Sequence, residues 1–475
     1  MNFVLEKPIL LKCFLNKLKE SENVVKENFY ISDYKIKRVI TDTRSFNKSG
    51  GIFFAIKGKN FNGHGFVREI IEKVDFVVVS EEVDVREKDF QKIIFVKDTT
   101  IALDVLANIY RNLFPELKVI AVVGSNGKTT TKELIKSILK SQYNVCATEK
   151  NLNNLLGVAY TLFQLNSHNK FCVLEMGISV KNEMGILSST AQPDTVVFTN
   201  IGKEHLEFLG SVEEVFREEI EAMKYVKNGG FVVLNRDDSY LRRILNGKPK
   251  KWYGINSHEV DVFAKDISYL GEGMSAKVVI RTLLGTSLSF DLETCLYGKH
   301  NVYNILAAIA VCFYNGMDNV EAMKKVIKDF SSVEMRGKRY KVGENVIVDE
   351  SYNANPDSMK VVMKEFLEMF NEKKKIMVLG DMLELGDYSE YEHRHLLDEI
   401  ELEKIEKVFL VGKEMKFLKE KYSNSEKIVY FEDIVKLREE LKRRLNEGQG
   451  LSVLFKASRG IGLDIVVKDL VENKD

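Results

Sequence analysis

A glycine loop between an apolar run and a helical pattern carries the sharpest chemical signal in the sequence. In AVVGSNGKTTTKE (121–133), Gly124 and Gly127 would let the backbone approach an anion, and the helix start offers free N–H groups. Lys128 would neutralise phosphate oxygens, and the Thr129 hydroxyl would ligate Mg²⁺. The pattern predicts nucleotide binding by the loop residues Gly124, Ser125, Asn126, Gly127, Lys128, Thr129 and Thr130.

Two further polar groups follow apolar runs that are typical of buried parallel strands. Glu175 ends FCVLE (171–175), and His205 lies in TNIGKEHLEFLGS (199–211). Because the carboxyl ends of parallel strands line one crevice, both side chains could meet a divalent cation at the phosphate loop. Two alternatives remain open: a surface glutamate that closes a strand, and a structural histidine, since Mg²⁺ prefers oxygen ligands.

Asparagine-rich segments recur at KNLNNLLG (150–157), GKHNVYN (298–304) and SYNANP (351–356). Amide side chains can donate to phosphates and accept from an adenine amino group. The alternative is turn and cap chemistry, because asparagine tolerates the left-handed region and caps helices. The segment DMLELG (381–386) follows another apolar run, so it would lie at a further crevice edge.

The elements that must position these residues fall into three regions. Residues 1 to about 112 mix short strand-like runs with a turn at 58–65. Residues from about 113 to 330 alternate strands with helices, which predicts a parallel α/β sheet, and 252–297 resemble a β-meander packed on that sheet. Residues from about 331 to 475 alternate again, which favours a small Rossmann-like sheet.

The expected elements can be placed by residue number. Strands are expected at 52–56, 76–79, 93–96, 119–123, 171–175, 195–199, 231–235, 346–350, 375–380, 407–412, 427–431 and 451–457. Helices are expected at 130–141 and 356–370.

Composition limits the classes of function. The 475 residues hold 70 Lys+Arg and 70 Asp+Glu, so the net charge of +0 argues against a nucleic-acid binder. The longest apolar run, 305–314, is about half of a membrane span, so we expect no membrane insertion. Five dispersed cysteines without a CxxC pair fit a reducing cytoplasm.

In this order along nearly the whole chain, a set of segments resembles the Mur ligase family. They are TDTRSFNKSGGIFFAIKGKNFNGHGF, VVGSNGKTTTKE, NLNNLLGV, LEMGIS, TNIGKEHLEFLGS, YGKHNVYNILAAIAV, DESYNANPDSM, VLGDMLELG and KASRG. The resemblance implies three domains: an N-terminal UDP-substrate domain (1–112), a central ATP-binding domain (113–330) and a C-terminal Rossmann-like domain (331–475).

The resemblance also implies a reaction. Within the family, YNANPDSM and GDMLELG are most similar to the member that joins D-Ala-D-Ala to UDP-N-acetylmuramoyl-tripeptide, using ATP and two Mg²⁺ ions through an acyl phosphate. The enzyme would be a cytoplasmic monomer. The alternatives are another Mur-type amino-acid ligase, a folylpolyglutamate synthase, and a phosphate-loop switch that ligates nothing.

Matching motifs imply roles for individual residues. The implied catalytic residues are Lys128, Asn154, Glu175 and His205, and the implied metal ligands are Thr129, Glu175 and His205. Glu219 joins the predicted catalytic residues by its position in a gap-free alignment rather than by a matching residue type. Further nucleotide contacts are implied for Asn304, Arg336, Asp349, Tyr352, Asn353 and Asn355. Implied substrate contacts are Asp42, Arg44, Asn60, Asn62 and His64 on the nucleotide-sugar side, with Lys456, Ser458 and Arg459 near the dipeptide.

The sequence departs from the family pattern at two positions. Glu350 replaces the second Asp of the DESYNANP segment, which would reach about one methylene further toward the ribose. Glu219 stands where most relatives carry a lysine whose CO₂ adduct lies beside the second Mg²⁺. A glutamate presents a similar two-oxygen anion without CO₂, so Glu219 would hold that cation directly or through one water. The alternative is a solvated acidic helix face in VEEVFREEIE.

Overall fold

The computed structural model describes the chain except for residues 27–32, 45, 47–48, 59–60, 258, 272, 283, 371–373, 448–449 and 473–475. Three sheets of six, nine and six strands follow one another along the described chain, together with one two-stranded ladder. Helices alternate with most of these strands, so the predicted α/β fold class is confirmed. Among the described residues, no helix combines the length and apolar character needed to cross a bilayer.

The first sheet has a parallel centre and antiparallel edges. Its region contains β1 (Asn2–Leu10), α1 (Leu11–Glu20), β2 (Val24–Lys26), β3 (Lys35–Ile40), β4 (Ile52–Phe54), β5 (Lys57–Gly58), β6 (Phe61–Asn62), α2 (Val67–Ile70), β7 (Phe76–Val79), β8 (Ile93–Val96) and α3 (Thr99–Asn112). The sheet order is β1-β3-β4-β7-β8-β2. The three predicted strands are confirmed as β4, β7 and β8, and the turn predicted at 58–65 overlaps the short β5–β6 ladder.

The second sheet carries the phosphate loop. Its elements are β9 (Lys118–Val123), α4 (Lys128–Lys140), β10 (Val145–Ala147), α5 (Leu155–Leu162), β11 (Phe171–Glu175), α6 (Glu183–Ala191), β12 (Thr195–Phe198), α7 (Leu206–Leu209), α8 (Val212–Ile220), β13 (Phe231–Asn235), β14 (Lys250–Gly254), β15 (Val262–Leu270), β16 (Gly273–Arg281), β17 (Ser287–Thr294), α9 (Lys299–Tyr314) and α10 (Val320–Asp329). β9 is buried from 119 to 123 between β11 and β12, as a continuous apolar run predicts.

The structure places the β-meander differently from the prediction. It does not pack on the main sheet: β15 pairs in parallel with β14, and β16 and β17 continue the same sheet to nine strands. This arrangement hydrogen-bonds the edge of β14, which would otherwise expose unpaired backbone groups. The apolar side chains of β16 join one buried cluster with those of α9 and α4.

The third sheet is parallel except at one edge. Its elements are β18 (Lys338–Val342), β19 (Asn345–Glu350), α11 (Pro356–Met369), β20 (Lys374–Gly380), α12 (Ser389–Arg394), β21 (Lys407–Val411), α13 (Met415–Lys421), β22 (Ile428–Phe431), α14 (Ile434–Glu447), β23 (Leu451–Lys456) and α15 (Leu463–Glu472). The order is β18-β19-β23-β20-β21-β22, with β18 antiparallel to β19. All five strands predicted in this region and its predicted helix are confirmed.

Candidate active site

A cavity of about 440 Å³ lies where loops of the second and third sheets meet. The second sheet contributes the segments that follow β9, β11 and β12, and the third sheet contributes those that follow β19 and β23. These are the carboxyl ends of parallel strands, where α/β sheets bind their ligands. The cavity therefore joins the phosphate loop to the SYNANP segment, which the sequence placed in different regions.

The phosphate loop owes its shape to two glycines. Gly124 and Gly127 have φ angles of +113° and +82°, and a Cβ at Gly127 would lie 2.3 Å from Asn304 Oδ1. Asn200 braces the loop, because its Oδ1 accepts from the Asn126 N–H at 2.9 Å and its Nδ2 donates to the Asn126 carbonyl at 3.0 Å. The loop is thus held open for an anion by neighbours that leave no room for side chains.

Lys128 begins α4 and folds back over the loop. Its Nζ donates to the Gly124 carbonyl at 2.5 Å and to the Ser125 carbonyl at 3.1 Å, and it lies 3.5 Å from Glu204 Oε2. Burial alone lowers the pKa of Lys128, but the nearby carboxylates of Glu204 and Glu219 raise it overall. A cation is therefore fixed where phosphate oxygens would sit.

The Thr129 hydroxyl and the Glu175 carboxylate form a ready pair of oxygen ligands. Thr129 Oγ1 donates to Glu175 Oε1 and Oε2 at 3.0 and 2.9 Å. Adjacent ligands of an octahedral Mg²⁺ are about 2.9 Å apart, so this spacing fits the ion. Asn153 Nδ2 donates to Glu175 Oε1 at 2.9 Å, and the buried Lys132 Nζ lies 3.8 Å from its Oε2.

Across the part of the chain that the structure describes, no three His, Cys, Asp or Glu side chains converge on a metal position. Mg²⁺ does not need such a cluster, because it commonly keeps several waters and takes one or two carboxylates together with substrate phosphates. Thr129 and Glu175 supply one hydroxyl and one carboxylate, which fits this mode of Mg²⁺ coordination.

Glu219 is fully buried against the phosphate loop. Its Oε2 accepts from the Gly124 N–H at 2.9 Å, and its Oε1 has no hydrogen-bond partner among the described residues. Burial raises its pKa to about 8. The solvated helix face considered for this segment is therefore wrong at Glu219, whose orphaned oxygen suits a cation.

Glu204 and His205 complete this end of the cavity. Glu204 Oε1 also lacks a partner in the described structure, while its Oε2 lies 3.8 Å from His205 Nε2. His205 has a left-handed backbone, with φ of +51°, and its Nδ1 lies 2.5 Å from Glu384 Oε2 in the third region. A carboxylate accepts hydrogen bonds, so a neutral His205 would hold its proton on Nδ1 and present the Nε2 lone pair on the side of Glu204.

Most of the residues predicted to contact the nucleotide lie at the cavity. Tyr352, Asn353 and Asn355 line the cavity, and the Arg336 guanidinium lies 3.9 Å from the centroid of the Tyr352 ring. Asn355 caps α11 and donates through Nδ2 to Asn126 Oδ1 at 2.9 Å. Asn304 also lines the cavity.

The prediction for Asp349 is not supported by its position. Its Oδ1 accepts from the Ser351 N–H and hydroxyl at 3.0 and 2.6 Å, and it is not among the side chains that line the cavity. Glu350 lines the cavity instead, with Lys456 Nζ 3.9 Å away. Alternation along β19 explains the difference, because adjacent strand residues face opposite sides.

Of the three residues predicted near the dipeptide, Lys456 lines the cavity and the other two do not. Lys456 is buried at the cavity, where its Nζ donates to the Asn353 carbonyl at 3.0 Å. Ser458 accepts from the Leu383 N–H at 2.9 Å and donates to the Ala354 carbonyl, so it braces loops. Arg459 is half exposed and lies 3.2 Å from Asp464. Ser458 and Arg459 are absent from the cavity lining.

The residues predicted on the nucleotide-sugar side lie in the first region, away from this cavity's lining. Asp42 forms a bidentate pair with Arg44, and that hydrogen-bonded contact lowers the pKa of Asp42 to about 2. His64 is buried, with Nδ1 at Asn62 Oδ1 and Nε2 accepting from the Ser80 N–H. These contacts favour a structural role for His64. Asn60 lies outside the described residues.

The resemblance in the NLNNLLGV segment predicts a site role for Asn154 but none for its neighbour Asn153. Asn154 lines the cavity and caps α5 through the Gly157 N–H, whereas Asn153 contacts Glu175 directly. Glu204 and Asp357 were also missed: the Oδ2 of Asp357, on α11, accepts from the Lys203 N–H at 2.8 Å. The only sequence signal for a site role of Glu204 is that it directly precedes His205 in the HLE segment.

The fold and the site define a phosphate-loop nucleotide-binding protein whose ligand cavity is shared by two α/β sheets. The Mur ligase middle domain matches residues 122–312, and the Mur ligase glutamate ligase domain matches residues 333–459. The chain belongs to the Mur ligase family.

Curated relatives agree over most of the chain. The UDP-N-acetylmuramoyl-tripeptide–D-alanyl-D-alanine ligase of Bacillus subtilis is 35% identical over 92% of this chain and 93% of its own length. The Escherichia coli ligase of the same name is 31% identical over 93% and 95%.

Solved structures agree as well. A MurF structure from Acinetobacter baumannii superposes with a TM-score of 0.84 at 27% identity, covering 98% of this chain and 99% of its own. MurF from Thermotoga maritima in complex with ADP superposes with a TM-score of 0.80 at 26% identity, covering 91% and 97%.

Proposed function

We propose that this chain is an ATP-dependent ligase that adds D-alanyl-D-alanine to UDP-N-acetylmuramoyl-tripeptide in peptidoglycan precursor synthesis. The observation that carries the proposal is the cavity shared by the phosphate loop and the SYNANP segment. Relatives with 35% and 31% identity bear this ligase name, and they align with more than nine-tenths of the chain.

The chemistry follows from the weakness of a carboxylate as an electrophile. An oxygen of the tripeptide's terminal carboxylate attacks the γ-phosphorus of ATP, and ADP leaves. The amine of D-Ala-D-Ala then attacks the carbonyl carbon of the acyl phosphate and loses a proton. The tetrahedral intermediate collapses to the amide and releases phosphate. Two anions must meet in the first step, so fixed cations have to lie between them.

We assign Lys128 to the phosphate oxygens and Thr129 with Glu175 to the first Mg²⁺. Mg²⁺ would supply charge neutralisation at the γ-phosphate. Asn153 and Lys132 hold the Glu175 carboxylate in place through the contacts at 2.9 and 3.8 Å. The α4 start adds its N–H groups toward the phosphates.

We assign His205 and Glu219 to a second Mg²⁺. Support for Glu219 comes from its burial and from its Oε1, which has no hydrogen-bond partner among the described residues. A buried carboxylate oxygen without a partner is costly, and a cation beside it would remove that cost. Asn154 would help to position the phosphates, and Asn304 the adenine, with Arg336, Tyr352, Asn353 and Asn355 closing over the nucleotide. Glu350 replaces Asp349 in this assignment, because Glu350 lines the cavity.

The remaining assignments concern domains and substrates. We propose that residues 1–112 hold the UDP-substrate through Asp42, Arg44 and Asn62, that 113–330 bind ATP, and that 331–475 close over the site. Lys456 would lie near the dipeptide, since its ammonium group is buried at the cavity. We propose a cytoplasmic monomer that supplies precursors for cell-wall growth.

The test is phosphate release from ATP with UDP-N-acetylmuramoyl-tripeptide, with and without D-Ala-D-Ala. We expect turnover only when both co-substrates are present, with the pentapeptide as product. Equal hydrolysis without either would favour a phosphate-loop switch instead. Turnover with free amino acids or folates in a substrate panel would favour another Mur-type ligase or a folylpolyglutamate synthase.

A further inference from the structure

The DMLELG segment (381–386) meets the loop that carries His205. The Glu207 N–H donates to the Glu384 carbonyl at 3.0 Å, and Tyr388 Oη donates to the Gly210 carbonyl at 3.2 Å. A Cβ on Gly386 would lie 3.0 Å from Glu207 Cα. The two loops therefore dock closely, although one follows β12 and the other follows β20.

The DMLELG segment is held firmly on its own side of this contact. The Leu383 N–H donates to Ser458 Oγ at 2.9 Å, and the Met382 N–H donates to His393 Nε2 at 2.9 Å. Asp381 Oδ1 accepts two N–H groups at the start of α13. The position of Glu384 is thus set by contacts with elements of the third region.

Glu384 and His205 meet in an arrangement that suits a metal-binding histidine. Glu384 Oε2 lies 2.5 Å from His205 Nδ1, whereas His205 Nε2 lies on the side of Glu204, 3.8 Å from its Oε2. Both residues have left-handed backbones, with φ of +51° and +62°, which non-glycine residues rarely adopt and which cluster at functional sites. His205 lines the cavity, but Glu384 does not.

We propose that Glu384 is a positioning residue that orients His205 toward the second divalent cation, so that this site is complete only when the third domain is docked. A carboxylate on one ring nitrogen fixes the tautomer and makes the other nitrogen a better ligand. The inference rests on the proposed assignment of His205. It gives the otherwise unassigned DMLELG segment a task, which is to couple domain docking to metal binding.

The test counts bound Mn²⁺ by electron paramagnetic resonance on the full chain with a non-hydrolysable ATP analogue. We expect two Mn²⁺ ions per wild-type chain. In Glu384→Gln one ion should bind as before, and the affinity for the second should fall about 10-fold or more. The variant should fold, because 46% of the Glu384 side chain is exposed.

Tyr388→Phe is the matched control, since it removes a docking hydrogen bond between the same loops without touching His205. It should retain both Mn²⁺ ions with affinities within about 2-fold of the wild type, a smaller change than the loss expected for Glu384→Gln. In a His205→Asn background, Glu384→Gln should cause no further loss, because Glu384 acts through His205.

Three outcomes would overturn the inference. Unchanged Mn²⁺ binding in Glu384→Gln, or an equal loss in Tyr388→Phe, would leave only a structural contact between the domains. A single Mn²⁺ in the wild type would remove the second site itself, and with it this inference and the His205 assignment. Substrate-dependent amide formation by the same wild-type preparation, measured separately, reports on the proposed ligase function alone.

Discussion

Replacing the buried carboxylate of Glu219 should change stability in a pH-dependent way. Its pKa in the folded protein is raised by burial from 4.5 to about 8. Below about pH 4 the group is protonated in both the folded and the unfolded state and costs nothing. As the pH rises, the unfolded state ionises first, so the free energy of unfolding falls until the pH passes about 8.

The magnitude follows from the size of the shift. At 1.36 kcal/mol per pH unit, an acid moved from 4.5 to about 8 costs roughly 4 kcal/mol at pH 8 and roughly 1 kcal/mol at pH 5. Glu219→Gln keeps the acceptor for the Gly124 N–H but cannot ionise. We expect its stability gain over the wild type to grow by about 3 kcal/mol between pH 5 and pH 8, a shift of several degrees in melting midpoint.

The assay is thermal melting of the ligand-free protein across this pH range. Glu214→Gln is the matched control on the same helix. The Glu214 carboxylate accepts a hydrogen bond from Lys181 Nζ, and this contact lowers the pKa of Glu214, so the variant should lose stability at higher pH. Adding Mg²⁺ with a non-hydrolysable ATP analogue should stabilise the wild type more than Glu219→Gln. The reasoning on Glu219 would be refuted if the stability difference between Glu219→Gln and the wild type did not change with pH. Equal stabilisation of the two proteins by Mg²⁺ with the ATP analogue would refute it as well.

Two further predictions concern the phosphate loop and CO₂. Lys128→Ala should abolish ATP turnover. Its affinity for UDP-N-acetylmuramoyl-tripeptide, measured by calorimetry, should stay near that of the wild type, because the proposed sugar-nucleotide contacts lie in the first region. A matching loss of affinity would contradict the domain assignment. Wild-type turnover should not change when bicarbonate is depleted at mildly acidic pH. Glu219→Ala should lose most turnover, and added bicarbonate should not restore it. Normal turnover of Glu219→Ala at saturating Mg²⁺ would rule out a role for Glu219 at the second cation.

The sequence predicted the strands and the phosphate loop well because both depend on local pattern. The apolar run at 119–123 favours a buried strand between two others, and the glycine loop that follows it leads into a helix. The meander was placed wrongly because pairing along the edge of β14 depends on long-range register rather than on local hydrophobic pattern.

Side-chain direction was harder to predict than element type. Whether Asn153 or Asn154 faces Glu175 depends on where α5 begins, and Asn154 is used as its cap. Whether Asp349 or Glu350 faces the cavity depends on the pleat of β19. The contact between His205 and Glu384 joins positions 179 residues apart, so no local pattern could indicate it.

In the proposed reaction, an oxygen of the substrate carboxylate is transferred to phosphate through an acyl phosphate. The most direct measurement uses UDP-N-acetylmuramoyl-tripeptide labelled with ¹⁸O in its terminal carboxylate, together with ATP and D-Ala-D-Ala, and mass analysis of the released phosphate. We expect each released phosphate to carry one ¹⁸O from the carboxylate. Unlabelled phosphate formed together with the pentapeptide would contradict it.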